Sequence, residues 1–512
     1  MASRSLNSSR NAVSGIVKVI AKIALPFVIR TVMLYFLGKE YLGLNSLFTS
    51  ILSVLNLAEL GFSSAVVFRL YEPFANNEKD TVGAYLNYLK RMYQIIGIIV
   101  FGAGLCIMPF LSLLIKGSYP NDINLYVLYL IYLINTSISF FFAGYKRALI
   151  IAAQRMDYIN VVETALLCLQ YLLQIAALII FKNYYVFIVI MPVATVLINL
   201  MISYICKTKY ADYFSKNLLP RDKQKGMLSD VKWVAVYRIS EVSRNSFDSI
   251  VVSSVLGLTA VAIYNNYYYI FSALYSFMVI INQSLQASVG NSIAKESAEK
   301  NERDMYKFSV FSLWIICFCC VCLLCLYQPF MTLWMGVDML LPTKDMVLFV
   351  VYFYVLNMSN IRNLYFDGNG LWKRGAATFI LESVLNLVLN IALGKVLGIS
   401  GVIIATIITM FACSFVCRSK ILYSKYFKKN TNKFFAMHLK LFLICTCVSF
   451  LCYYLCSLCG SAGVKVLLIR ALICCVIPNG VYFIIFRNNP VFTEGVQQLK
   501  MALLHVKHTS KE

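Results

Sequence analysis

One apolar stretch, residues 233–256, is long enough to cross a membrane and yet carries four charges. These are Arg238, Glu241, Arg244 and Asp248. A helix needs about 20 residues to span the hydrocarbon layer, and at about 100° per residue the four charges fall within roughly 120° of one helical face. A charge at mid-membrane costs on the order of 2.5–3.5 kcal/mol. This face must therefore turn toward protein or a water-filled cavity, away from lipid.

Two arrangements would shelter this face. Arg244 can form ion pairs within the helix with Glu241 at i,i+3 and Asp248 at i,i+4, in an internal salt-bridge ladder between packed helices. The alternative is a polar translocation pathway. Polar stripes on other helices, including the cations Lys22 and Arg30 of the first apolar stretch, favour the pathway. Within it, Glu59, Glu241 and Asp248 are the candidates for ion coupling.

Two further stretches carry amides and hydroxyls on one face. The face is about 80° wide in residues 42–68 and about 40° wide in residues 259–286. Such groups hydrogen-bond to hydroxyl-rich ligands, and aromatic rings stack on the apolar faces of sugars. Hydrogen bonding between packed helices explains any one of these residues better than ligand binding does, but it explains matching stripes on four helices poorly. The predicted sugar-binding residues are Asn45, Asn56, Asn265, Tyr268, Ser272, Ser276 and Gln283.

Two isolated carboxylates, Glu163 and Glu382, lie in other apolar stretches. Each is either a protonatable coupling site or a group that is protonated or paired locally, and the second reading is the more common one.

The composition is that of a polytopic membrane protein. Of 512 residues, 60% are hydrophobic and 13% are charged, with a mean hydropathy of +0.73. The net charge of +23 does not indicate nucleic acid as a partner, because the basic residues cluster in alternate loops.

We expect cytoplasmic N- and C-termini, because basic residues concentrate in the cytoplasmic loops of membrane proteins. In this orientation the outer segments carry few cations: Lys39, Lys116, Lys182, Lys344, Lys395, Lys465 and Arg470.

No pattern of residues indicates catalysis, so we expect neither an enzyme nor a cofactor. The chain has no phosphate-binding glycine loop and no nucleophile elbow. Its 17 cysteines lie almost wholly in apolar stretches, and the chain has only three histidines. We therefore interpret the thiols as small apolar packing residues and expect no metal site.

The apolar stretches predict an all-α protein of about fourteen transmembrane helices, arranged as two six-helix repeats plus two extra C-terminal helices. The repeat is visible in Phe36–Gly38 and Val255–Gly257, and in the offset between Pro109 and Pro329. The predicted organisation is an N-terminal bundle (1–206), a cytoplasmic basic linker (207–232), a C-terminal bundle (233–430), an extra helix pair (431–486) and a cytoplasmic tail (487–512).

Two stretches, residues 41–75 and 247–270, resemble the polysaccharide transporter family, which comprises flippases for O-antigen and capsule repeat units. In the second stretch the resemblance rests on Asp248, Leu256–Gly257 and Asn266–Tyr267. This family belongs to the multidrug/oligosaccharidyl-lipid/polysaccharide exporter superfamily.

The resemblance implies two six-helix bundles that form a V around a central cavity. It implies that the chain flips undecaprenyl-diphosphate-linked oligosaccharide across a bacterial inner membrane. The further partners that it implies are membrane lipids, a polysaccharide polymerase and glycosyltransferases. The family's cavity is often cationic, which matches Lys22, Arg30, Arg238 and Arg244 by residue type. The alternatives are a drug or metabolite antiporter, a peptidoglycan-precursor flippase and, as the least favoured, a non-transporting membrane scaffold.

Overall fold

The computed structural model describes residues 4–56, 62–142, 144–215, 217–460, 463–488 and 493, with several side chains omitted between 4 and 8, 62 and 65, and 223 and 245. These residues are helical and contain no strand, as expected where lipid leaves no other partner for backbone polar groups. The α-helices are α1 Arg4–Phe36, α2 Lys39–Leu55, α3 Phe62–Ala75, α4 Lys79–Ile107, α5 Leu125–Phe141, α6 Lys146–Ala152, α7 Met156–Phe181, α8 Tyr184–Lys209, α9 Arg221–Leu256, α10 Leu258–Lys295, α11 Ala298–Met335, α12 Thr343–Asn357, α13 Asn360–Gly368, α14 Trp372–Leu397, α15 Ile399–Thr409, α16 Arg418–Leu422, α17 Asn432–Ser457 and α18 Val464–Phe486.

Among the described residues, eleven helices are long and apolar enough to cross a membrane. A twelfth span is formed if α5 and α6, bent by 55° at their junction, are counted as one. The two remaining predicted spans, 42–68 and 233–256, coincide with α2–α3 and α9. The all-α membrane fold is confirmed, and the prediction of fourteen spans is compatible with it.

The chain divides into two compact units, residues 1–262 and 263–512. In the first unit α7 packs against α1 and α8, and α9 packs against α2. In the second unit α11 packs against α12, α17 and α18, and α14 packs against α15. The appended pair α17–α18 is therefore attached to its unit through α11.

Sharp backbone turns with positive φ occur at matching places in the two halves. Eight of the twelve positive-φ residues in the described part of the chain form pairs separated by 219, 219, 216 and 216 residues: Gly38 (101°) with Gly257 (94°), Gly117 (88°) with Gly336 (84°), Gln154 (57°) with Gly370 (61°), and Lys182 (48°) with Gly398 (65°). Left-handed φ values are uncommon outside glycine. Their recurrence at nearly constant separation supports the repeat inferred from the sequence.

The segment after α8 docks on the start of α4 and does not hang free. The amide of Asn87 donates to the carbonyl oxygens of Ser215 (2.6 Å) and Asn217 (3.1 Å). Lys79 Nζ lies 2.7 Å from an Asp212 carboxylate oxygen, and this contact lowers the pKa of Asp212. The first part of the predicted linker 207–232 is thus held by the first unit. The predicted tail 487–512 lies largely outside the described residues.

Candidate functional site

Glu163 of α7 lies between two cations from other helices. Lys18 Nζ of α1 is 2.6 Å from Glu163 Oε2, and Arg147 of α6 donates to Glu163 Oε1. Lys22, one turn beyond Lys18, is in electrostatic contact with all three groups. Lys18, Lys22, Arg147 and Glu163 thus form a group of three cations and one carboxylate, which we call the α1–α7 cluster.

Hydrogen bonds fix the alignment of α1 with α7 next to this cluster. Lys18 Nζ also donates to Asn160 Oδ1 (3.2 Å), and Asn160 Nδ2 donates to Ser14 Oγ (3.2 Å). Further toward the start of α1, Asn11 accepts from the backbone N–H of Asp157 at 2.8 Å. Of the residues in these bonds, Ser14, Asp157 and Asn160 line one groove.

This groove has a volume of about 620 Å³ and is open on one side. Its walls come only from α1 and α7: Ser9, Arg10, Val13, Ser14, Val17, Asp157, Asn160, Val161, Thr164 and Ala165. Because Asn160 lines the groove and binds Lys18, the charged cluster adjoins this groove.

Arg30 continues the line of cations along α1. It lies eight residues beyond Lys22, about 12 Å further along the helix axis. Its side chain is half-buried and acts electrostatically on Tyr171 of α7. The predicted cavity cations of α1 therefore face α7, the helix that carries Glu163.

Asn45 is engaged in a chain of hydrogen bonds between helices. Tyr132 donates its hydroxyl to Asn45 Oδ1 at 2.6 Å, and the hydroxyls of Tyr132 and Tyr184 are 2.9 Å apart. Both tyrosines are buried, and Asn45 is half-buried. This contact joins α2, α5 and α8, so Asn45 has a structural role whether or not it contacts a sugar. The other predicted amide of this stretch, Asn56, is half-buried and ends α2.

The predicted sugar-binding residues of α10 form an open polar strip. Ser272 and Ser276 are half-buried and donate to backbone carbonyls of their own helix, those of Tyr269 (2.9 Å) and Ser272 (2.8 Å). Their oxygens keep acceptor capacity for a ligand. Asn265 is half-buried, and Gln283 is exposed. Tyr268 is half-buried, and its ring stacks on Tyr264 and Phe271.

Four other predicted site residues lie outside what the structure describes. For Arg238, Glu241 and Arg244 of α9 this applies to the side chains, and for Glu59, between α2 and α3, it applies to the whole residue. Asp248 of α9 is fully buried. Full burial is consistent with the expectation that this face of α9 turns away from lipid.

A second ion pair is buried at Glu382, for which the sequence favoured a proton or a local partner without naming Arg418. Arg418 of α16 donates to Glu382 of α14, and the exposed fractions of the two side chains are 6% and 1%. Arg418 also donates to Ser414 Oγ at 3.1 Å and its guanidinium lies 4.0 Å from the ring centroid of Phe379. The signal that could have identified the pair was the lone Glu382 in an apolar helix, since a buried carboxylate requires a cation.

A family model described as "Polysaccharide biosynthesis protein" matches residues 8–286, more than half of the chain. The chain belongs to this family. A second model, MatE, matches residues 234–392. No curated protein matches the chain.

Solved structures share the fold at low sequence identity. "Lipid II flippase MurJ, inward closed conformation" has a TM-score of 0.69 at 15% identity, over 94% of this chain and 99% of that one. An inward-facing multidrug resistance MATE family transporter of the MOP superfamily has a TM-score of 0.65 at 16% identity, over 81% and 99%. An outward-facing form has a TM-score of 0.56 at 15% identity, over 83% and 97%. This member of the polysaccharide biosynthesis protein family is thus a multi-pass membrane protein that shares its fold with those structures.

Proposed function

We propose that the chain moves undecaprenyl-diphosphate-linked oligosaccharide repeat units from the inner to the outer leaflet by alternating access. The units supply the synthesis of a cell-surface polysaccharide: O-antigen, capsule or exopolysaccharide. The single observation that carries this proposal is the α1–α7 cluster, where Lys18 and Arg147 bind the carboxylate of Glu163 and Lys22 acts on it electrostatically. Cations gathered in this way attract a diphosphate.

The chemistry of the substrate fits these side chains. A hydrated sugar and a diphosphate cannot enter hydrocarbon without losing their hydrogen bonds to water, and a polar pathway removes most of that cost. Guanidinium groups form forked bonds to phosphate oxygens, whereas lysines act as point charges. In this proposal Lys22, Arg30, Arg238 and Arg244 contact the diphosphate. The amides and hydroxyls of α2 and α10 contact the sugar, and the polyprenyl tail stays in lipid.

Two of the membrane carboxylates, Glu163 and Glu382, do not favour a drug antiporter. Such a transporter needs an acidic group that can take up a cation or a proton. Glu163 is bonded to Lys18 and Arg147, and Glu382 is bonded to Arg418. Neither carboxylate can bind a cationic drug without first releasing a lysine or arginine.

Release of the diphosphate requires that binding stay moderate. We propose that Glu241 and Asp248 provide this by competing for the same guanidinium groups, because both can pair with Arg244 along one helix. Protonation of Asp248 would then free Arg244 for the substrate.

Transport in proteoliposomes tests the mechanism. A fluorescent undecaprenyl-diphosphate oligosaccharide is incorporated, and a membrane-impermeant reductant reports the fraction in the outer leaflet over time. We expect Arg244→Ala to abolish flipping and Lys395→Ala, at the exposed end of α14, to leave it unchanged. The double variant Arg244→Ala/Asp248→Asn also removes the carboxylate partner. If that variant is well folded and flips normally, Arg244 is only a structural partner and the mechanism is wrong.

A peptidoglycan-precursor flippase is the second candidate, favoured by the likeness to the lipid II flippase over 94% of the chain. Both substrates would present a lipid-linked diphosphate, so the same cations would serve either one. A deletion strain separates them. Loss of one surface glycan with normal growth supports the repeat-unit flippase, whereas failure of cell-wall growth with accumulation of peptidoglycan precursor supports the second candidate.

Orientation is a separate proposal, with both termini and residues 207–232 cytoplasmic. Reporter fusions within 207–232 should read cytoplasmic, and fusions within 118–124 should read external. The reverse result at both loops contradicts the orientation.

A further inference from the structure

Three thiols from three helices of the second unit meet at one point. The Sγ atoms of Cys325 on α11, Cys456 on α17 and Cys474 on α18 all lie within 4.8 Å of one another. Each residue is at most 1% exposed. The three sulfurs are therefore placed by tertiary packing, since they are far apart in the chain.

A fourth thiol adjoins them. Cys322 lies one turn before Cys325 on the same face of α11, and its thiol is within hydrogen-bonding reach of Cys474. Cys474 is likewise within reach of Cys325 and Cys456. If thiols served only as small apolar side chains, packing would not require them to converge on one another.

A cation lies beside this group. Arg470, one turn before Cys474, donates from Nη1 to the carbonyl oxygen of Cys325 at 3.5 Å and from Nη2 to that of Gly460. Its guanidinium acts electrostatically on both Cys456 and Cys474. A positive charge at this distance can balance a thiolate, the form in which cysteine binds metals.

We propose that Cys325, Cys456 and Cys474 bind one soft metal ion, Zn²⁺, as thiolates, with Cys322 beside the fourth coordination position. Zinc–sulfur bonds of about 2.3 Å place ligand sulfurs about 3.8 Å apart in a tetrahedral site, so a contraction of about 1 Å or less completes the site. Soft thiolates select Zn²⁺ and Cu⁺ over hard cations. Three thiolates with Zn²⁺ carry one negative charge, which Arg470 balances, whereas Cu⁺ would leave an excess negative charge in an apolar layer.

The ion would fasten the appended helices to the second unit. Its ligands join α17 and α18 to α11, the helix through which this pair already packs. Because metal bound only in the folded state adds its binding free energy to stability, removal of the ion should loosen the helix pair.

Metal titration of the purified full-length protein tests the proposal. We expect one Zn²⁺ per chain by elemental analysis after dialysis. When Cd²⁺ replaces it, one equivalent should produce a thiolate-to-metal charge-transfer band. Cys474→Ser should lose this stoichiometric site. Cys475→Ser, which alters the adjacent and exposed thiol, should keep it.

Two further variants make the result decisive. Cys445→Ser removes the centre of a separate thiol group, which includes Cys317 and Cys320, and it should also keep the metal. Cys456→Ala retains a small apolar side chain if Cys474→Ser folds poorly, and it should lose the metal. Absence of stoichiometric metal in the parent protein, its persistence in Cys456→Ala, or its loss in Cys445→Ser overturns the proposal.

Discussion

Glu163 lies on α7 and Glu382 on α14, and each carboxylate is bound by a cation from a neighbouring helix. The two helices begin and end 216 residues apart, so Glu382, 219 residues after Glu163, lies about one turn further along its helix. The environments differ, however. Glu163 is met by several cations beside an open groove, whereas the pair of Glu382 with Arg418 is almost fully buried. The related helices α7 and α14 thus each carry a carboxylate in an ion pair, one beside a groove and one in the interior.

Replacing Glu163 should strengthen anion binding. Glu163→Gln removes the negative charge that lies between Lys18 and Arg147 while keeping the shape of the side chain. Two charges about 4 Å apart interact by about 4 kcal/mol at an effective dielectric constant of 20, so a lipid-linked diphosphate should bind at least several-fold more tightly and leave more slowly. Binding and flipping in proteoliposomes over a range of ionic strength measure both effects.

The control for that experiment is Glu296→Gln, at the exposed end of α10. It should change neither quantity. Unchanged or weaker diphosphate binding by Glu163→Gln, with thermal stability preserved, would mean that the α1–α7 cluster does not contact the substrate.

Removing Arg418 should destabilise the second unit. Arg418→Met withdraws the cation from the buried Glu382, and breaking one side of a buried pair costs about 3–5 kcal/mol. Adding Glu382→Gln should recover much of the loss, because no buried charge then remains at the pair. Thermal unfolding in detergent reports these changes.

Lys300→Ala provides the comparison for Arg418→Met. Lys300 pairs with Glu296 at the surface, where both side chains are exposed, and such pairs contribute about 0–1 kcal/mol. Equal effects of Lys300→Ala and Arg418→Met would show that burial does not decide the energy of these pairs.

The approach of α2 to the start of α10 depends on Gly43. A Cβ added there would lie 2.3 Å from the carbonyl oxygen of Leu258, so backbone must move. We expect Gly43→Ala to destabilise the protein by about 1–3 kcal/mol, the usual cost of overpacking. Gly102→Ala, where no atom lies within 4 Å of the added Cβ, should be neutral or stabilising because alanine favours helix. Comparable losses in both variants would contradict the packing argument.

The polar strip of α10 should face water. In a background without native cysteines, Ser276→Cys and Gln283→Cys should react with small hydrophilic thiol reagents in intact cells or vesicles. Phe277→Cys replaces the adjacent side chain, which is 53% exposed and apolar. It should react poorly because such reagents do not enter hydrocarbon. A reactive Phe277→Cys with an inert Ser276→Cys would mean that α10 is rotated the other way.

The sequence by itself determined the helices and, in large part, which residues share one face of a helix. Crossing a bilayer requires about 20 apolar residues in a helix, because lipid offers no other partner for backbone polar groups. Segment length and hydrogen bonding within the segment are both local properties. The all-α membrane fold and the positions of the predicted spans could therefore be read from continuous runs of apolar residues. The repeat signal at Gly38 and Gly257 was local too, and the backbone confirms it as a pair of left-handed turns.

Only the tertiary structure decided which side chains meet. Helical periodicity fixes the face on which Glu163 or Asn45 lies, but it does not fix which distant helix packs there or at what depth. Lys18 reaches Glu163 because α1 packs along α7 in one particular register, and Tyr132 reaches Asn45 in the same way. The convergence of Cys325, Cys456 and Cys474 depends on three helices at once. Their positions in the chain carry no sign of that convergence, because the free energy that selects a register is summed over whole helix faces and is not encoded near any one residue.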